Sequence, residues 1–542
     1  MFVHQSIAKS LADHGVQTLF GLMGDANLYM VDSYVRDHGG RYVYATHEAN
    51  AVLMAFGYAE ATGRIGVATV THGPGLINVL GSLFEGARGQ IPSVLVCGEV
   101  PASDTPVINR QSVRQREFIL GTGAGLEHVA TARNISHHVA RAFWRAATEC
   151  RPIVLNVPTD LQWQEAGEPV APITVRPDLR PAAHDDDFDN AVGIIAAARR
   201  PVVVAGRGAR DAESKAAILA LADRIGAPVA TTLRANGLFS GHPHNIGLYG
   251  TLSSDPAVEV ITASDCLIAF GAALSHHTVA GGGITRGKRI VQVNRAIGDI
   301  GGIVQPTVAL IGAPAGTAAL IHRCLDEADV PGSQFAGPDL AKRLADHAPA
   351  PRLDAMPPRQ GTVDLREALL AIERAIPSNR TLSTDVGRFM KECWTVLGVD
   401  DPLAFLPAAN FGAIGLAIPT AIGAAVGCPG RPALAVCGDG GFMLGGVAEF
   451  SSAVREKLDL VVVVCNDGGY GAEHRQFRSK GMDVGLSQLD WPDFAPLADS
   501  LGGAGVTVRG PADLEPMTNA IARRNGPLLI DLRIDPDCVP WL

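Results

Sequence analysis

The sequence predicts an α/β protein with three doubly wound parallel sheets, and three observations lead to this prediction. The chain has 542 residues, enough for about three or four domains of ordinary size. Short apolar runs alternate with longer helical patterns, which is typical of parallel sheets covered by helices. Two stretches rich in Pro, Ala and Asp, at 165–187 and 347–361, divide these runs into three blocks.

The first block extends to about residue 170 and contains four predicted strands. These are YVYAT (42–46), IGVATV (65–70), SVLVCG (93–98) and PIVLNVP (152–158). The N-terminal stretch MFVHQSIAKSLADHG predicts an amphipathic helix, and it lacks the basic and apolar regions of a signal peptide. We therefore expect a protein that is not exported.

The second block is also predicted to be doubly wound, with three apolar strands. These are PVVVAG (201–206), CLIAFG (266–271) and RIVQVN (289–294). The stretch GGITRGKR (282–289) nearly matches a phosphate-binding loop, but Arg289 replaces the expected Ser or Thr and the strand follows the loop. We therefore interpret it as a turn.

The third block contains four predicted strands and one apolar helix. The strands are TLSTD (381–385), PALAVCGD (432–439), DLVVVVCN (459–466) and PLLIDLRI (527–534). The apolar stretch 412–427 is shorter than the about 20 residues of a membrane span and contains Pro419. It therefore indicates a buried helix, and we expect no membrane segment.

Composition excludes several classes of protein. The chain has 45 basic and 55 acidic residues, a net charge of -10, and no run of Lys or Arg, so we expect no nucleic acid partner. The nine cysteines are scattered and never in a CxxC spacing, which favours a reducing, cytoplasmic location. Zinc-protease and serine-hydrolase motifs are missing from the sequence.

Polar residues end two predicted strands of the third block. Asp439 closes one strand within Gly438-Asp439-Gly440-Gly441, and Asn466 closes the next. Because the carboxyl ends of parallel strands meet at one edge of a sheet, both side chains should lie where such sheets bind ligands. A carboxylate, an amide oxygen and a turn carbonyl are the hard donors that Mg²⁺ takes, and glycines let backbone N–H groups approach a diphosphate.

This GDG-x25-ND run resembles the motif of thiamine diphosphate (ThDP) enzymes, in which GDG is usually followed by NN, so Asp467 departs from the pattern. The chain is similar to the acetolactate synthase-like and pyruvate decarboxylase-like superfamily. The resemblance implies that Asp439 and Asn466 hold Mg²⁺ by side chain and Gly468 by its carbonyl. It implies, in order, a pyrimidine-binding domain (1–170), a central nucleotide-binding-like domain (189–335) and a diphosphate-binding domain (360–542).

The first block supplies the other half of such a site. His47-Glu48 resembles the family's HE dipeptide, whose Glu contacts N1′ of the aminopyrimidine. A carboxyl that shares its proton with N1′ favours the imino tautomer, whose nitrogen then removes the C2 proton of the thiazolium. The turn THGPGLIN (71–78) resembles the family's GPGxxN turn, with His72 where Ser is common. Further residues that the resemblance places at the cofactor or substrate are Gly73, Asn78, Gln111, Ile414, Gly438, Gly440, Gly441 and Tyr470.

Two acids bear on the mechanism. Asp25 and Glu473 align with carboxyl groups that pyruvate decarboxylase-like enzymes place near the reacting carbon. A carboxyl in a poorly hydrated cleft takes up a proton more readily and could protonate the enamine that remains after CO₂ loss. Alternatively, both are solvated residues at helix starts, and the sequence leaves the two interpretations open.

The central domain of acetolactate synthases carries FAD, but this chain departs from them. Ala273-Leu274-Ser275-His276 replaces an Arg-Phe-Asp-Asp run, and Asn294 stands where Asp often ends the next strand. These departures argue against FAD. The Gln-Trp specificity pair of the synthases is also missing from AEHRQF (472–477), which indicates another substrate.

The resemblance implies a ThDP- and Mg²⁺-dependent enzyme acting on a 2-oxo acid. It would decarboxylate the acid to an enamine and transfer the acyl-anion equivalent to a second carbonyl compound. One alternative is a simple decarboxylase that releases an aldehyde. Another is a non-catalytic nucleotide-binding homologue, against which Glu48, Asp439 and Asn466 argue. Because the two halves of the site meet across a two-fold interface in this family, we expect a homodimer at minimum and a homotetramer as the full assembly.

Overall fold

The computed structural model describes residues 1–101, 110–174, 179–347 and 358–538, and within them the chain forms three six-stranded sheets. The first sheet contains β1 (Thr18–Gly21), β2 (Arg41–Tyr44), β3 (Gly66–Val70), β4 (Ser93–Glu99), β5 (Gly125–His128) and β6 (Pro152–Pro158). The helices of this block are α1 (Val3–Asp13), α2 (Leu28–Arg36), α3 (Glu48–Thr62), α4 (Pro74–Asn78), α5 (Leu80–Arg88), α6 (Gln115–Gly121) and α7 (Ile135–Glu149). The strands pair in parallel in the order β2-β1-β3-β4-β6-β5. The strand order reverses between β1 and β3, which is where such sheets bind ligands.

The second sheet has the strand order of dinucleotide-binding folds. Its strands are β7 (Pro201–Ala205), β8 (Val229–Thr231), β9 (Asn245–Leu248), β10 (Cys266–Phe270), β11 (Arg289–Asn294) and β12 (Val308–Ile311). Its helices are α8 (Asp186–Ala196), α9 (Ala212–Ile225), α10 (Asp255–Ala263), α11 (Pro314–Glu327) and α12 (Pro338–Ala345). The order β12-β11-β10-β7-β8-β9 reverses between β7 and β10.

The loops at this reversal point contact each other through their backbones. A Cβ added to Gly206 would lie 2.4 Å from the carbonyl oxygen of Gly271, and one added to Gly271 would lie 2.5 Å from the carbonyl carbon of Gly208. Only glycines allow this approach. The place where a dinucleotide fold usually receives its ligand is therefore closely packed with main chain.

The third sheet repeats the strand order of the first. Its strands are β13 (Thr381–Thr384), β14 (Phe405–Pro407), β15 (Ala433–Gly438), β16 (Leu460–Asn466), β17 (Ala504–Val508) and β18 (Leu528–Arg533), in the order β14-β13-β15-β16-β18-β17. Its helices are α13 (Leu365–Ala375), α14 (Met390–Val396), α15 (Ala417–Gly427), α16 (Asp439–Gly441), α17 (Val447–Arg455), α18 (Gly471–Ser479), α19 (Phe494–Ser500) and α20 (Leu514–Arg523). A π-helical turn at 442–446 joins α16 to α17.

These elements confirm the predicted fold class of three doubly wound parallel sheets. All eleven strands predicted from apolar runs are present, as are the N-terminal helix α1 and the buried helix α15. The stretch 282–289 begins within a 3₁₀ helix (280–285) and leads through a turn at 286–287 into β11. Within the described ranges, no helix combines the length and the apolar character needed to cross a membrane.

The described residues form two compact units, of which the first joins the first and third blocks. It comprises residues up to 174, 358–397 and 406–538, and the second comprises the middle block with 398–405. In the first unit α3 packs directly on α15. A Cβ on Gly57 would lie 1.9 Å from the carbonyl oxygen of Thr420, and one on Gly423 would lie 1.8 Å from that of Met54. Both helices are apolar on nearly every face, as expected for helices buried on all sides.

Candidate functional site

Asp439 and Asn466 lie side by side at the carboxyl edge of the third sheet. β15 and β16 pair with Gly438 opposite Cys465, so the next residues, Asp439 and Asn466, lie at the same level along the sheet. Both side chains are only 2% exposed. Asp439 Oδ2 accepts the N–H of Gly469, in the turn after β16, at 2.7 Å. The structure thus brings together the two side chains predicted to bind the metal.

The turn after β16 supplies further oxygen donors. Asn466 Nδ2 donates to the buried carboxylate of Asp531 at 2.8 Å, which fixes the amide so that its oxygen faces the turn. That oxygen accepts the N–H of Gly468 at 3.2 Å. Gly468 has φ +80°, a conformation that glycine adopts readily. A carboxylate, an amide oxygen and a turn carbonyl form a donor set that fits a hard divalent cation such as Mg²⁺.

Two buried carboxyl groups, Asp439 and Asp467, lie near each other at this edge, and Asp467 is paired with Arg388. Burial raises the pKa of Asp439 to about 7, and the nearby Asp467 carboxylate adds to this effect. Burial also raises the pKa of Asp467, although Arg388 opposes the shift. Arg388 Nη2 lies 3.2 Å from Asp467 Oδ2, and both side chains are 9% exposed. A bound divalent cation favours the ionised form of nearby carboxyl groups. Two buried carboxyl groups accompanied by one arginine therefore suit a metal site.

The two glycines after Asp439 are closely surrounded. A Cβ on Gly440 would lie 2.5 Å from the Tyr470 ring, and a Cβ on Gly441 would lie 2.5 Å from Asp385 Oδ2. Gly438, the residue before Asp439, is half-buried. A ligand can therefore approach the backbone of this turn only because these residues are glycines, which have no side chain.

Asp385 follows β13 and was not among the predicted site residues. It is fully buried; its Oδ2 accepts the N–H of Gly415 at 2.6 Å, and its Oδ1 accepts that of Leu416 at 3.1 Å. Burial raises the pKa of Asp385 to about 7. These bonds hold the segment that carries the half-buried Ile414. An acid at the end of a buried strand, the signal that identified Asp439, would have found Asp385 as well.

Glu48 is the first helical residue of α3, where an acid interacts favourably with the helix dipole. The side chain of His47 caps this helix by accepting the N–H of Ala49 at 3.1 Å. Glu48 is half-exposed, and its Oε2 accepts a hydrogen bond from Asn78 Nδ2 at 3.0 Å. The predicted residues Glu48 and Asn78 are therefore in contact.

Asp25 and His72 lie beyond β1 and β3, the strands that flank the reversal point of the first sheet. Asp25 Oδ1 accepts the hydroxyl of Thr71 at 3.0 Å and lies 4.0 Å from His72 Nδ1. His72 is buried, and its Nδ1 has no hydrogen-bond partner among the described residues. The Asp25 side chain is 74% exposed. The structure therefore places these two predicted site residues close to each other.

Gly73 lies between two glutamines of the stretch NRQSVRQ. A Cβ on Gly73, which has φ +60°, would lie 2.3 Å from the carbonyl oxygen of Gln111. Gln115, which was not predicted, is 1% exposed and accepts the N–H of Gly73 at 2.8 Å. It also donates to Asn156 Oδ1 at 2.7 Å. Gln115 thus fixes the turn, while the predicted Gln111 is half-buried beside it.

Glu473 has no polar contact with the other predicted site residues that the structure describes. It lies in the first turn of α18 with an exposed side chain, and none of the described residues forms a hydrogen bond or ion pair with it. Its neighbour His474 is buried, and His474 Nε2 lies 2.9 Å from Asp537 Oδ1. Tyr470, just before α18, is 40% exposed. α18 therefore turns His474 inward and Glu473 outward.

Curated relatives match almost the whole chain. Sulfoacetaldehyde acetyltransferases from Castellaniella defragrans and Alcaligenes xylosoxydans xylosoxydans are 27% and 28% identical, and each match covers 94% of this chain and 89% of the relative. The acetolactate synthase of Mycobacterium bovis is 27% identical, with 99% of this chain and 88% of the relative covered. The chain is thus similar to enzymes with two different names.

Three family models match the three blocks in order. They describe the N-terminal TPP binding domain, the central domain and the C-terminal TPP binding domain of thiamine pyrophosphate enzymes, and they match residues 1–119, 188–321 and 385–532. With the geometry described above, these matches identify the chain as a member of the thiamine diphosphate-dependent enzyme family.

Proposed function

We propose that the protein is a ThDP- and Mg²⁺-dependent carboligase that decarboxylates a 2-oxo acid and transfers the acyl group to a second carbonyl compound. The observation that carries the proposal is the pairing of Asp439 with Asn466 at the carboxyl edge of the third sheet. The relatives support a transfer reaction, since one is named as an acetyltransferase and the other as an acetolactate synthase. The substrates of these two relatives are not assigned to this chain.

The third block is proposed to bind the metal and the diphosphate. Asp439 and Asn466 would hold Mg²⁺ through side-chain oxygens, and Gly468 would do so through its carbonyl. The backbones of Gly438, Gly440 and Gly441 would approach the diphosphate, with Tyr470 beside them. Ile414, on the segment held by Asp385, would support the bent form of the cofactor. When bound, ThDP would supply a nucleophilic thiazolium carbon for reaction at the ketone of the 2-oxo acid.

The first block is proposed to supply the residues for proton transfer and for contact with the substrate. Glu48 would share a proton with N1′ of the aminopyrimidine, and the hydrogen bond from Asn78 orients its carboxylate for this role. Gly73 would let the turn approach the cofactor. His72 and Gln111 would face the substrate, and the buried Nδ1 of His72, which lacks a hydrogen-bond partner among the described residues, would bind a substrate oxygen.

A simple decarboxylase is the alternative, and it depends on Asp25 and Glu473 as proton donors. Both side chains are exposed in the single chain, whereas the decarboxylase hypothesis needs them in poorly hydrated surroundings. Because the proposed site is completed by a second subunit, exposure in the single chain separates neither function from the other, and the names of the relatives favour the carboligase. A panel of 2-oxo acids assayed for CO₂, free aldehyde and acyloin would separate the two functions, since a decarboxylase releases the aldehyde and a carboligase consumes it.

Glu48→Gln tests the proposed site. We expect this variant to lose activity while Mg²⁺-dependent ThDP binding stays largely intact, because Gln cannot exchange a proton with N1′. Glu213→Gln is the matched control: Glu213 also lies in the first turn of a helix, α9, but outside the proposed site. Full activity in Glu48→Gln would show that the proposed cofactor geometry is wrong.

We further propose a homodimer as the minimum active unit, with a homotetramer as the assembled form, as the family resemblance implies. FAD is not part of the proposal, because the loops at the reversal point of the second sheet contact each other through their backbones. The proposed location is the cytoplasm, in keeping with nine free cysteine thiols.

A further inference from the structure

A buried glutamate of the third block binds the first block on both sides of Glu48. Glu449, on α17, is 0% exposed. Its Oε2 accepts the backbone N–H of Thr46 at 3.2 Å, the hydroxyl of Thr46 at 2.7 Å and the side-chain amide of Asn50 at 2.7 Å. Thr46 and Asn50 lie two residues before and two residues after Glu48.

The neighbouring π-helical turn strengthens this contact. Asn50 Nδ2 also donates to the carbonyl oxygen of Gly445, within the π turn between α16 and α17, at 3.2 Å. The start of α3 is therefore held by a carboxylate and a carbonyl of the same third-block segment. A buried carboxylate is costly unless several donors satisfy it, so Glu449 strongly favours the one backbone path that supplies these donors.

The first block makes a reciprocal contact. Glu85, on α5, is 2% exposed, and its carboxylate accepts the N–H and the side-chain amide of Asn410 at 3.0 and 2.6 Å and the N–H of Phe411 at 2.7 Å. The rings of Phe84 and Phe411 stack beside it, with centroids 4.8 Å apart. Asn410 and Phe411 precede Ile414 by four and three residues.

We propose that Glu449 is a positioning residue for Glu48 and that Glu85 is one for the segment of Ile414, so that a buried carboxylate of the opposite block positions each half of the cofactor site. The inference rests on the proposed function, because it takes Glu48 as the group that meets N1′. Glu449 acts through the backbone of α3 and touches neither substrate nor cofactor.

The test measures a step that depends on Glu48 separately from binding. Wild type, Glu449→Ala, Glu449→Gln and Glu48→Gln are saturated with ThDP and Mg²⁺, and the exchange of the thiazolium C2 proton with deuterium is followed by NMR after acid quenching. ThDP affinity is measured by titration calorimetry. Glu456→Ala is the matched control, since Glu456, next to α17, also pairs with the first block, through Arg41 at 2.6 Å.

We expect Glu449→Ala to slow the exchange about tenfold or more, the loss expected for a charged hydrogen bond, while ThDP affinity changes by less than about threefold. Glu449→Gln keeps one acceptor for Thr46 and should recover part of the rate. Glu456→Ala should exchange as wild type does. If Glu449→Ala does not fold, Asn50→Ala replaces it, with an expected slowing of about threefold.

Two results would overturn the inference. One is wild-type exchange in Glu449→Ala, or in Asn50→Ala where the former does not fold. The other is a loss of ThDP affinity that accounts for the whole effect, since this indicates a role in stability alone. Failure of the proposed function gives a different pattern: wild type does not bind ThDP, or Glu48→Gln exchanges as fast as wild type.

Discussion

Replacing Gly57 with alanine should disrupt the contact between the first and third blocks. The added Cβ would lie 1.9 Å from the carbonyl oxygen of Thr420, whereas an ordinary contact begins at 3.4 Å. The two helices would therefore have to separate by about 1.5 Å at this point, the difference between the two distances. The obstacle is helix backbone, which has no rotamer to adopt, so local relaxation cannot remove the clash.

Two opposing effects set the size of the loss. Alanine is favoured over glycine inside a helix by about 1 kcal/mol, which alone would stabilise the variant. Overpacking costs about 1 to 3 kcal/mol where side chains can adjust, and a clash with backbone belongs at or above the upper end of that range. The overpacking cost should dominate, and we expect a net loss of about 2 kcal/mol or more in the free energy of unfolding.

Urea unfolding of the cofactor-free protein, followed by circular dichroism, measures the effect as a shift of the midpoint. Gly81→Ala is the matched control, because Gly81 lies in α5 of the same block and an added Cβ meets no atom within 4 Å. It should raise the stability by about 0.5 to 1 kcal/mol. Gly423→Ala tests the same interface from α15 and should behave like Gly57→Ala.

The two glycine variants should thus shift the midpoint in opposite directions. If Gly57→Ala unfolds at the same urea concentration as wild type, or at a higher one, α3 and α15 do not approach as closely as described. Equal losses in Gly57→Ala and Gly81→Ala would refute the reasoning in another way, since helix position and not the contact with α15 would then explain both.

Three further predictions concern the carboxyl edge of the third sheet. Arg388→Met should lower the free energy of unfolding by about 3 kcal/mol, because it leaves Asp467 buried without its cation. Adding Asp467→Asn should restore most of that loss, and additive losses of the two variants in urea unfolding would contradict this. The folded-state pKa of Asp385 is raised from 3.8 to about 7, so ionisation of this carboxyl opposes folding as the pH rises through that interval. Raising the pH from about 5 to about 8 should therefore lower the urea midpoint of wild type more than that of Asp385→Asn. Chelation of Mg²⁺ should release ThDP in equilibrium dialysis, and Asp439→Ala should bind ThDP no better than chelated wild type does; retained binding would argue against the metal site.

Strands that lie deep in a sheet were predictable from the sequence, and most edge strands were not. Apolar runs such as DLVVVVCN predict β16, whose seven residues are all buried. Five of the seven strands missed lie at sheet edges, as β5 and β17 do. β5 reads GLEH, and an edge strand with one partner and a partly exposed face needs no continuous apolar run.

The candidate site was predictable where its residues end strands. Asp439 and Asn466 follow buried runs, and the topology of parallel sheets then places them together. Glu449 and Glu85 could not be found this way, because each lies inside an ordinary amphipathic helix. Their burial arises from partners 399 to 403 and 325 to 326 residues away, and no local pattern records such contacts.

The packing of α3 on α15 has a consequence for symmetry. The first and third sheets share one strand order, and each helix follows the second strand of its own sheet. Gly57 on one helix meets the backbone of the other, and Gly423 returns the contact. Two like blocks thus face each other through the same helix, as subunits do in an isologous dimer. The first compact unit therefore resembles a dimer made within one chain, and the proposed homodimer would contain four such blocks.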